Sequence, residues 1–324
     1  MLQYDLIIVG AGPAGMTAAI YAARADLTVL LLEKLAPGGQ IINTNEIQNY
    51  TGFDTINGAD LAVKMFEHTQ TYDRITFDYR TVVAIRDKGP LCKEVVCEED
   101  GAIFTGKTVL IASGTRHRVL EVPGEDRFTG NGISWCAVCD GEQMRGKDCV
   151  VIGGGNSAVE ESLFLADIAK SLTIVTMLGL TADPIACDRL RQKKNVKIYV
   201  YQDILGFEGT DKITGVRVRS NENDKDPKFG PVDTVDEKLM GENVVPCDGV
   251  FEFIGLIPTT EFCADLGILD RGYVKVDDHM RTSVPGVFGA GDAIVKFLRQ
   301  SITACSDGAI AGQEAAHYIQ AQEG

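Results

Sequence analysis

Residues 5–33 leave the chain few ways to fold. Positions 5–9 read as a buried parallel strand, Gly10-Ala11-Gly12-Pro13-Ala14-Gly15 as the turn behind it, 16–24 as a helix, and 28–32 as a second strand closed by Glu33. In such a G-x-G-x-x-G turn the first glycine permits the reversal and the second lets a pyrophosphate reach the backbone. The third lets the helix close on the strand, and the helix N-terminus attracts the anion. Glu33 stands where a ribose hydroxyl needs a partner. The pattern recurs, with a strand at 148–152, the turn Gly153-Gly154-Gly155-Asn156-Ser157-Ala158, a helix at 159–169 and a strand at 172–176. A glycine turn alone is weak evidence; the strand, helix, strand and acid around it make it specific. The repeat predicts an α/β fold class with two Rossmann-like three-layer nucleotide-binding domains. It implies two dinucleotides, or one and the vestige of a second site.

Between the two turns lies Ser134-Trp135-Cys136-Ala137-Val138-Cys139-Asp140-Gly141, with the only Cys-x-x-Cys of the chain. Two intervening residues bring both sulfurs within reach of each other, so a dithiol and a disulfide are both accessible. Thiolate attack interconverts such states, and the neighbouring groups tune the thiolate fraction. Half of a zinc site is the competing reading. Structural zinc takes four ligands, usually from two such pairs, and there is no second pair; His68, His117, His279 and His317 are scattered. No metal is expected.

Nine cysteines, an odd number with one close pair, do not make a secreted disulfide framework. The N-terminus carries no basic region, and the apolar run 6–9 is too short for a signal sequence. A cytoplasmic location is expected. A net charge of −15 argues against nucleic acid or an anionic membrane as partner.

The remaining chain supplies connecting elements. Gly38-Gly39-Gln40 precedes a polar stretch at 43–52 and a helix at 59–72, followed by period-two strands at 81–85 and 92–98. A further strand, 108–115, ends in small residues, and Pro123-Gly124 lies in a polar crossing. Strands at 197–201 and 215–219 precede a charged stretch, 221–228, read as a hairpin tip or loose loop. Near Pro246-Cys247-Asp248 the chain should return to its first domain, before a buried strand at 249–254. The expected boundaries are 1–117 and 246–324 for one domain and 118–245 for an insertion that carries the cysteines.

The order of these features resembles a low-molecular-weight thioredoxin reductase, of the bacterial and archaeal type, from residue 4 to about 316. The two glycine turns, Gly38-Gly39-Gln40, the Cys136–Gly141 stretch, Gly289-Ala290-Gly291-Asp292 and Arg299-Gln300 carry the likeness. It implies an FAD domain built from both chain ends, an inserted nicotinamide-type domain and a homodimer. By the same resemblance Gly10, Gly12, Pro13, Ala14, Gly15 and Glu33 hold the FAD pyrophosphate and ribose. Gly39, Gln40, Asn49, Ala112 and Gly114 approach the cofactor, as do Gly291 and Asp292, and Arg299, Gln300 and Ser301 line the flavin. Gly153, Gly155, Asn156 and Ser157 form the second dinucleotide turn. Cys139 is implied as the flavin-side sulfur, Cys136 as the thiol that attacks thioredoxin or a thioredoxin-like protein, and Asp140 as proton donor and acceptor. Asp140 also reads as a helix cap, and Trp135 as packing or as a cover.

One position departs from that family. Members that use NADPH carry a His-Arg-Arg run and a later arginine after the second strand of the inserted domain, to pair with the 2′-phosphate. Here the stretch reads Thr176-Met177-Leu178-Gly179-Leu180-Thr181-Ala182. Arg189, Arg191, Lys193 and Lys194 follow and read as a solvated helix face. Among NAD(P)H donors NADPH is therefore disfavoured and NADH stays open. A protein donor such as ferredoxin is an alternative, docking on a basic patch such as Arg116-His117-Arg118. A flavin and dithiol redox sensor is the reading from another class.

Overall fold

A computed structural model describes residues 3–44, 47–225 and 236–324. Parts of the polar stretch 43–52 and of the charged stretch 221–228 lie outside the described residues. The chain forms two units, residues 1–116 with 257–324, and residues 117–256.

The first unit begins with β1 (Gln3–Val9), α1 (Pro13–Arg24) and β2 (Val29–Glu33). Leu6, Ile7 and Ile8 are fully buried, which is the both-faces burial of a parallel strand flanked by other layers. Next come α2 (Gly58–Thr69), β3 (Ile75–Tyr79), β4 (Val82–Asp87), β5 (Lys93–Cys97) and β6 (Ile103–Ile111). Asn57 caps α2 by accepting the Ala59 and Asp60 N–H groups, which sets its start one residue before the expected 59. The sheet order is β3-β2-β1-β6-β5-β4, parallel from β3 to β6 and antiparallel from β6 to β4.

The strand β7 (Thr115–His117) leads into the second unit. There follow α3 (Glu125–Phe128), β8 (Ile133–Ser134), α4 (Ala137–Asp140), β9 (Asp148–Ile152), α5 (Asn156–Ile168) and β10 (Ser171–Val175). After them come α6 (Pro184–Arg191), β11 (Val196–Tyr199), β12 (Gln202–Gly209), β13 (Ile213–Ser220), β14 (Glu242–Pro246) and β15 (Gly249–Glu252). A five-stranded parallel sheet, β11-β10-β9-β15-β8, is joined by an antiparallel sheet, β12-β13-β14. Both glycine turns thus open a βαβ unit on a parallel sheet.

The chain leaves this unit on β16 (Leu256–Pro258), later than the expected return at 246. The reason is β15, whose Val250 and Phe251 pair with Val150 and Val151 of β9 and with Ile133 and Ser134 of β8. The buried strand expected at 249–254 therefore completes the inserted sheet. Back in the first unit, β17 (Leu269–Asp270) and β18 (Tyr273–Val274) form a small ribbon, and β19 (Val287–Gly289) joins β6 in parallel. The long helix α7 (Ser301–Glu323) ends the chain against α1. A Cβ on Gly308 would stand 2.1 Å from the Ala14 carbonyl oxygen, so glycine is what lets the two helices touch.

Candidate active site

The cysteine turn is built on the short α4. Cys136 and Cys139 form a disulfide, with 5.3 Å between their Cα atoms. Cys136 is the N-cap of α4, its Sγ accepting the Cys139 N–H at 3.2 Å, and Asp140 N–H donates to the Cys136 carbonyl at 3.0 Å. Asp140 stands at the N-cap position of the following turn, but its side chain makes no capping bond there. Its carboxyl instead accepts the Ser134 hydroxyl at 2.6 Å, and the same Ser134 oxygen accepts the Cys136 N–H at 3.2 Å. Burial pushes the Asp140 carboxyl above the usual carboxylate range, while the Ser134 hydroxyl pulls it back. An acid so placed, one residue from a sulfur, can keep a proton and give it up. Gly141, which follows, packs tightly on Phe164 and Leu165 of α5. That contact ties the turn to the helix of the second dinucleotide fold.

The second glycine turn is partly covered by its own chain. Thr181 N–H donates to the Gly154 carbonyl at 2.7 Å, and the Asp183 N–H donates to Asn156 Oδ1 at 2.9 Å. A Cβ on Gly154 would lie 2.8 Å from Thr176 Oγ1 and 3.1 Å from the Gly179 carbonyl. Asn221 and Asn223 pin the same segment from the far side, both donating to the Met177 carbonyl at 3.1 and 3.0 Å. Residues 177–182 therefore fold onto the turn, and they bring no lysine or arginine. Gly155 still faces open space, and Asn156 and Ser157 are exposed. Gly153 has a positive φ of 135° and is forced to be glycine by the Phe253 carbonyl.

The basic run after this loop is not a uniform solvated face. Arg191 ends α6 and grips Asp236 with two bonds, Nε to Oδ1 at 3.0 Å and Nη2 to Oδ2 at 2.6 Å, and the Asp236 side chain is only 2% exposed. Lys193 pairs with Asp167, whereas Arg189 and Lys194 are exposed. The expected basic patch also shrinks. Arg116 and Arg118 are exposed, but burial pulls His117 down to about 4, so it is neutral.

In the first unit the chain ends gather around the first glycine turn. A Cβ on Gly15 would lie 1.9 Å from the Gly10 carbonyl oxygen, whereas Gly12 faces open space. The α1 N-terminus has Pro13 in its first turn and no side chain capping it. Glu33 accepts the Ala11 N–H at 2.9 Å and the Leu35 N–H at 3.0 Å, which fixes its carboxylate beside the turn. Gly38 N–H donates to the Ala11 carbonyl at 2.7 Å, and Gly39 comes within contact of Gly12. Gln40 donates its amide to Thr115, and Asn49 donates to Gln300 at 3.1 Å. Gln300 and Thr303 form a capping box on α7, with Ser301 as its first residue. Ala112 follows β6 against Gly10, Gly114 stands two residues further on and faces open space, and Gly291 packs on Ala14.

These groups fit an FAD. Asp292 Oδ1 is buried with no partner among the described residues, and its carboxyl is pushed up by burial. An orphan acceptor in a cradle of small residues is what a ligand hydroxyl would satisfy. Arg299 is held by the Ile294 and Lys296 carbonyls and lies over Tyr273, 4.5 Å from its ring centre. Sequence reasoning missed two groups here. Lys296 pairs with the buried Asp307, which also accepts the Gly291 N–H at 3.1 Å. In the second unit Glu252 and Glu125 are both buried, and Glu252 accepts the Trp135 indole N–H. The acid inside the apolar run Gly249-Val250-Phe251-Glu252-Phe253-Ile254 was the available signal. Trp135 itself is held between this glutamate and His117.

The family described as pyridine nucleotide-disulphide oxidoreductase matches residues 4–312. The chain is similar to the thioredoxin reductase of Listeria monocytogenes, 40% identical over 320 residues that cover 98% of this chain and 94% of that one. It is 40% identical to the 34.2 kDa protein in the rubredoxin operon of Clostridium pasteurianum, over 98% of this chain and 97% of that one. The crystal structure of thioredoxin reductase from Streptococcus pyogenes superposes with a TM-score of 0.87 at 42% identity, covering 98% and 99% of the two chains.

Proposed function

Because the chain belongs to the pyridine nucleotide-disulphide oxidoreductase family, as a flavin-dependent thioredoxin reductase of the low-molecular-weight type, we propose that it draws electrons from a reduced redox protein rather than from NADPH. The observation that carries this reading is the segment 177–182, bonded across the second glycine turn and without a cation for a 2′-phosphate. Each lost charge-assisted bond to phosphate is worth about 1.5–3 kcal/mol. Two of them correspond to roughly two to four decades of affinity. The Clostridium pasteurianum relative, named for a rubredoxin operon, associates such a chain with a small electron carrier. NADH is the second reading, favoured by the open face of Gly155.

Gly10, Gly12, Pro13, Ala14 and Gly15 would hold the FAD pyrophosphate and Glu33 its ribose. Asp292, Arg299, Gln300 and Ser301, with Gly39, Gln40, Asn49, Ala112, Gly114 and Gly291, would line the rest. Bound there, the flavin would supply two electrons to the Cys136–Cys139 disulfide. Cys139 is the sulfur assigned to the flavin side. Cys136, as a thiolate, attacks the disulfide of thioredoxin and forms a mixed disulfide; Cys139 then attacks Cys136 and releases the reduced partner. Asp140 supplies the proton that one departing thiolate needs and takes it back when the disulfide re-forms.

A homodimer and a cytoplasmic location belong to the same reading. Val295, Phe297 and Leu298 form an exposed apolar run in the first unit, with Phe297 95% exposed, which suits burial against a second copy. No helix among the described residues is long and apolar enough to cross a membrane.

Anaerobic titration of the bound flavin with NADPH, NADH and reduced ferredoxin separates the donors. Bleaching by reduced ferredoxin, with NADPH ineffective at equal concentration, is the expected result. Stoichiometric bleaching by micromolar NADPH would overturn the assignment.

A further inference from the structure

Glu252 is the one acid of β15 and is 2% exposed. The pairing of Val250 with Ile133 and Phe251 with Ser134 carries it level with Trp135. The indole Nε1–H donates to Glu252 Oε2 at 3.1 Å. The other oxygen, Oε1, is sealed from solvent. A second carboxyl, Glu125 at the start of α3, is 3% exposed and hydrogen-bonds Glu252. Glu125 in turn accepts the Leu120 N–H at 2.8 Å and the Val122 N–H at 3.4 Å.

Two buried carboxyls in contact cannot both be charged at neutral pH, so the pair keeps one proton. Burial and the Glu125 charge push Glu252 up to about 8. No lysine or arginine pairs with either carboxyl among the described residues. His117 is the other titratable group at the site, stacked on the indole with 5.1 Å between ring centres, and it is neutral.

We propose that Glu252 and Glu125 form a one-proton clamp on Trp135, and that the clamp positions the backbone entering Cys136. Trp135 lies between Ser134, whose hydroxyl bonds Asp140, and Cys136, whose N–H bonds the same hydroxyl oxygen. When Glu252 loses its proton, its bond to Glu125 is replaced by repulsion and the indole's acceptor shifts. The redox turn then answers to pH through carboxyls that touch neither sulfur. Both are positioning residues and work through Trp135. The inference holds whichever donor reduces the enzyme.

Trp135 is the only tryptophan, so its emission reports the clamp directly. The holoenzyme's tryptophan fluorescence should show a transition centred near pH 8, the value to which Glu252 is pushed. Glu252→Gln keeps both hydrogen bonds without a titratable proton and should abolish the transition. Glu125→Gln removes the repelling charge and should move it to lower pH. The rate of dithiol transfer to thioredoxin should lose the same step in Glu252→Gln, a change that a purely structural role would not produce. A flat wild-type profile, or an unchanged transition in Glu252→Gln, would overturn the proposal. Should Glu252→Gln fail to fold, the Glu125→Gln displacement decides the matter, and its absence refutes the clamp.

Discussion

Replacing Arg191 by methionine separates a structural role from a nucleotide-reading one. Arg191 is one of the basic residues that follow the second glycine turn. In the structure its Nε and Nη2 are on Asp236, with side-chain exposures of 18% and 2%, and its Nη1 lies 3.6 Å from Asp188. Methionine retains the aliphatic stem and leaves the buried carboxylate without its cation. Breaking a buried pair from one side costs about 3–5 kcal/mol. For a domain of this size each kcal/mol is worth about 2–4 °C, so the inserted unit should melt about 6–20 °C lower. Differential scanning calorimetry measures that loss. Adding Asp236→Asn should recover much of it, because the uncompensated charge is then gone, and the double-mutant cycle gives the coupling. Reduction by the protein donor at low temperature should be unaffected. If Arg191→Met melted within about 2 °C of wild type while reduction by NADPH weakened tenfold or more, Arg191 would be a phosphate reader, and both the structural assignment and the donor assignment would fail.

Gly15→Ala places a methyl 1.9 Å from the Gly10 carbonyl oxygen, so the first turn must open; purified protein should lose FAD, read as the ratio of flavin to protein absorbance. Asp140→Asn removes the proton carrier beside the sulfurs and should slow thioredoxin reduction by about 10²–10⁴, with the loss of an acid limb in the pH–rate profile. Undiminished turnover in that variant would remove Asp140 from the chemistry. Glu252 binds its proton more tightly in the folded chain than at its ordinary value of 4.5, so its contribution to stability is complete below that value and is lost as pH rises through about 8. Over that window the melting temperature of Glu252→Gln should fall less steeply than that of wild type, and parallel curves would contradict the raised value.

The glycine turns, the strands beside them and the dithiol were legible because each is local. Their signal is a period, a glycine where a Cβ cannot fit, or two sulfurs three positions apart, and each can be read within a few residues. Strand 148–152 was located to the residue for that reason. The expected helix start at 159 came late because Asn156-Ser157-Ala158 reads as turn chemistry, yet in the structure these residues already form the first turn of α5.

What the tertiary structure decided lies in pairings across long stretches of chain. β15 looked like the return to the first domain, and only its register with β8 and β9 put it in the inserted sheet. The missing cations after β10 were visible in the sequence, but that the same segment bonds back onto Gly154 was not. Arg191 and Asp236 meet across 45 positions, and Trp135 and Glu252 across 117. A carboxylate's sequence neighbours do not reveal whether water surrounds it. Burial and partner together set its charge, and both exist only once distant segments have packed.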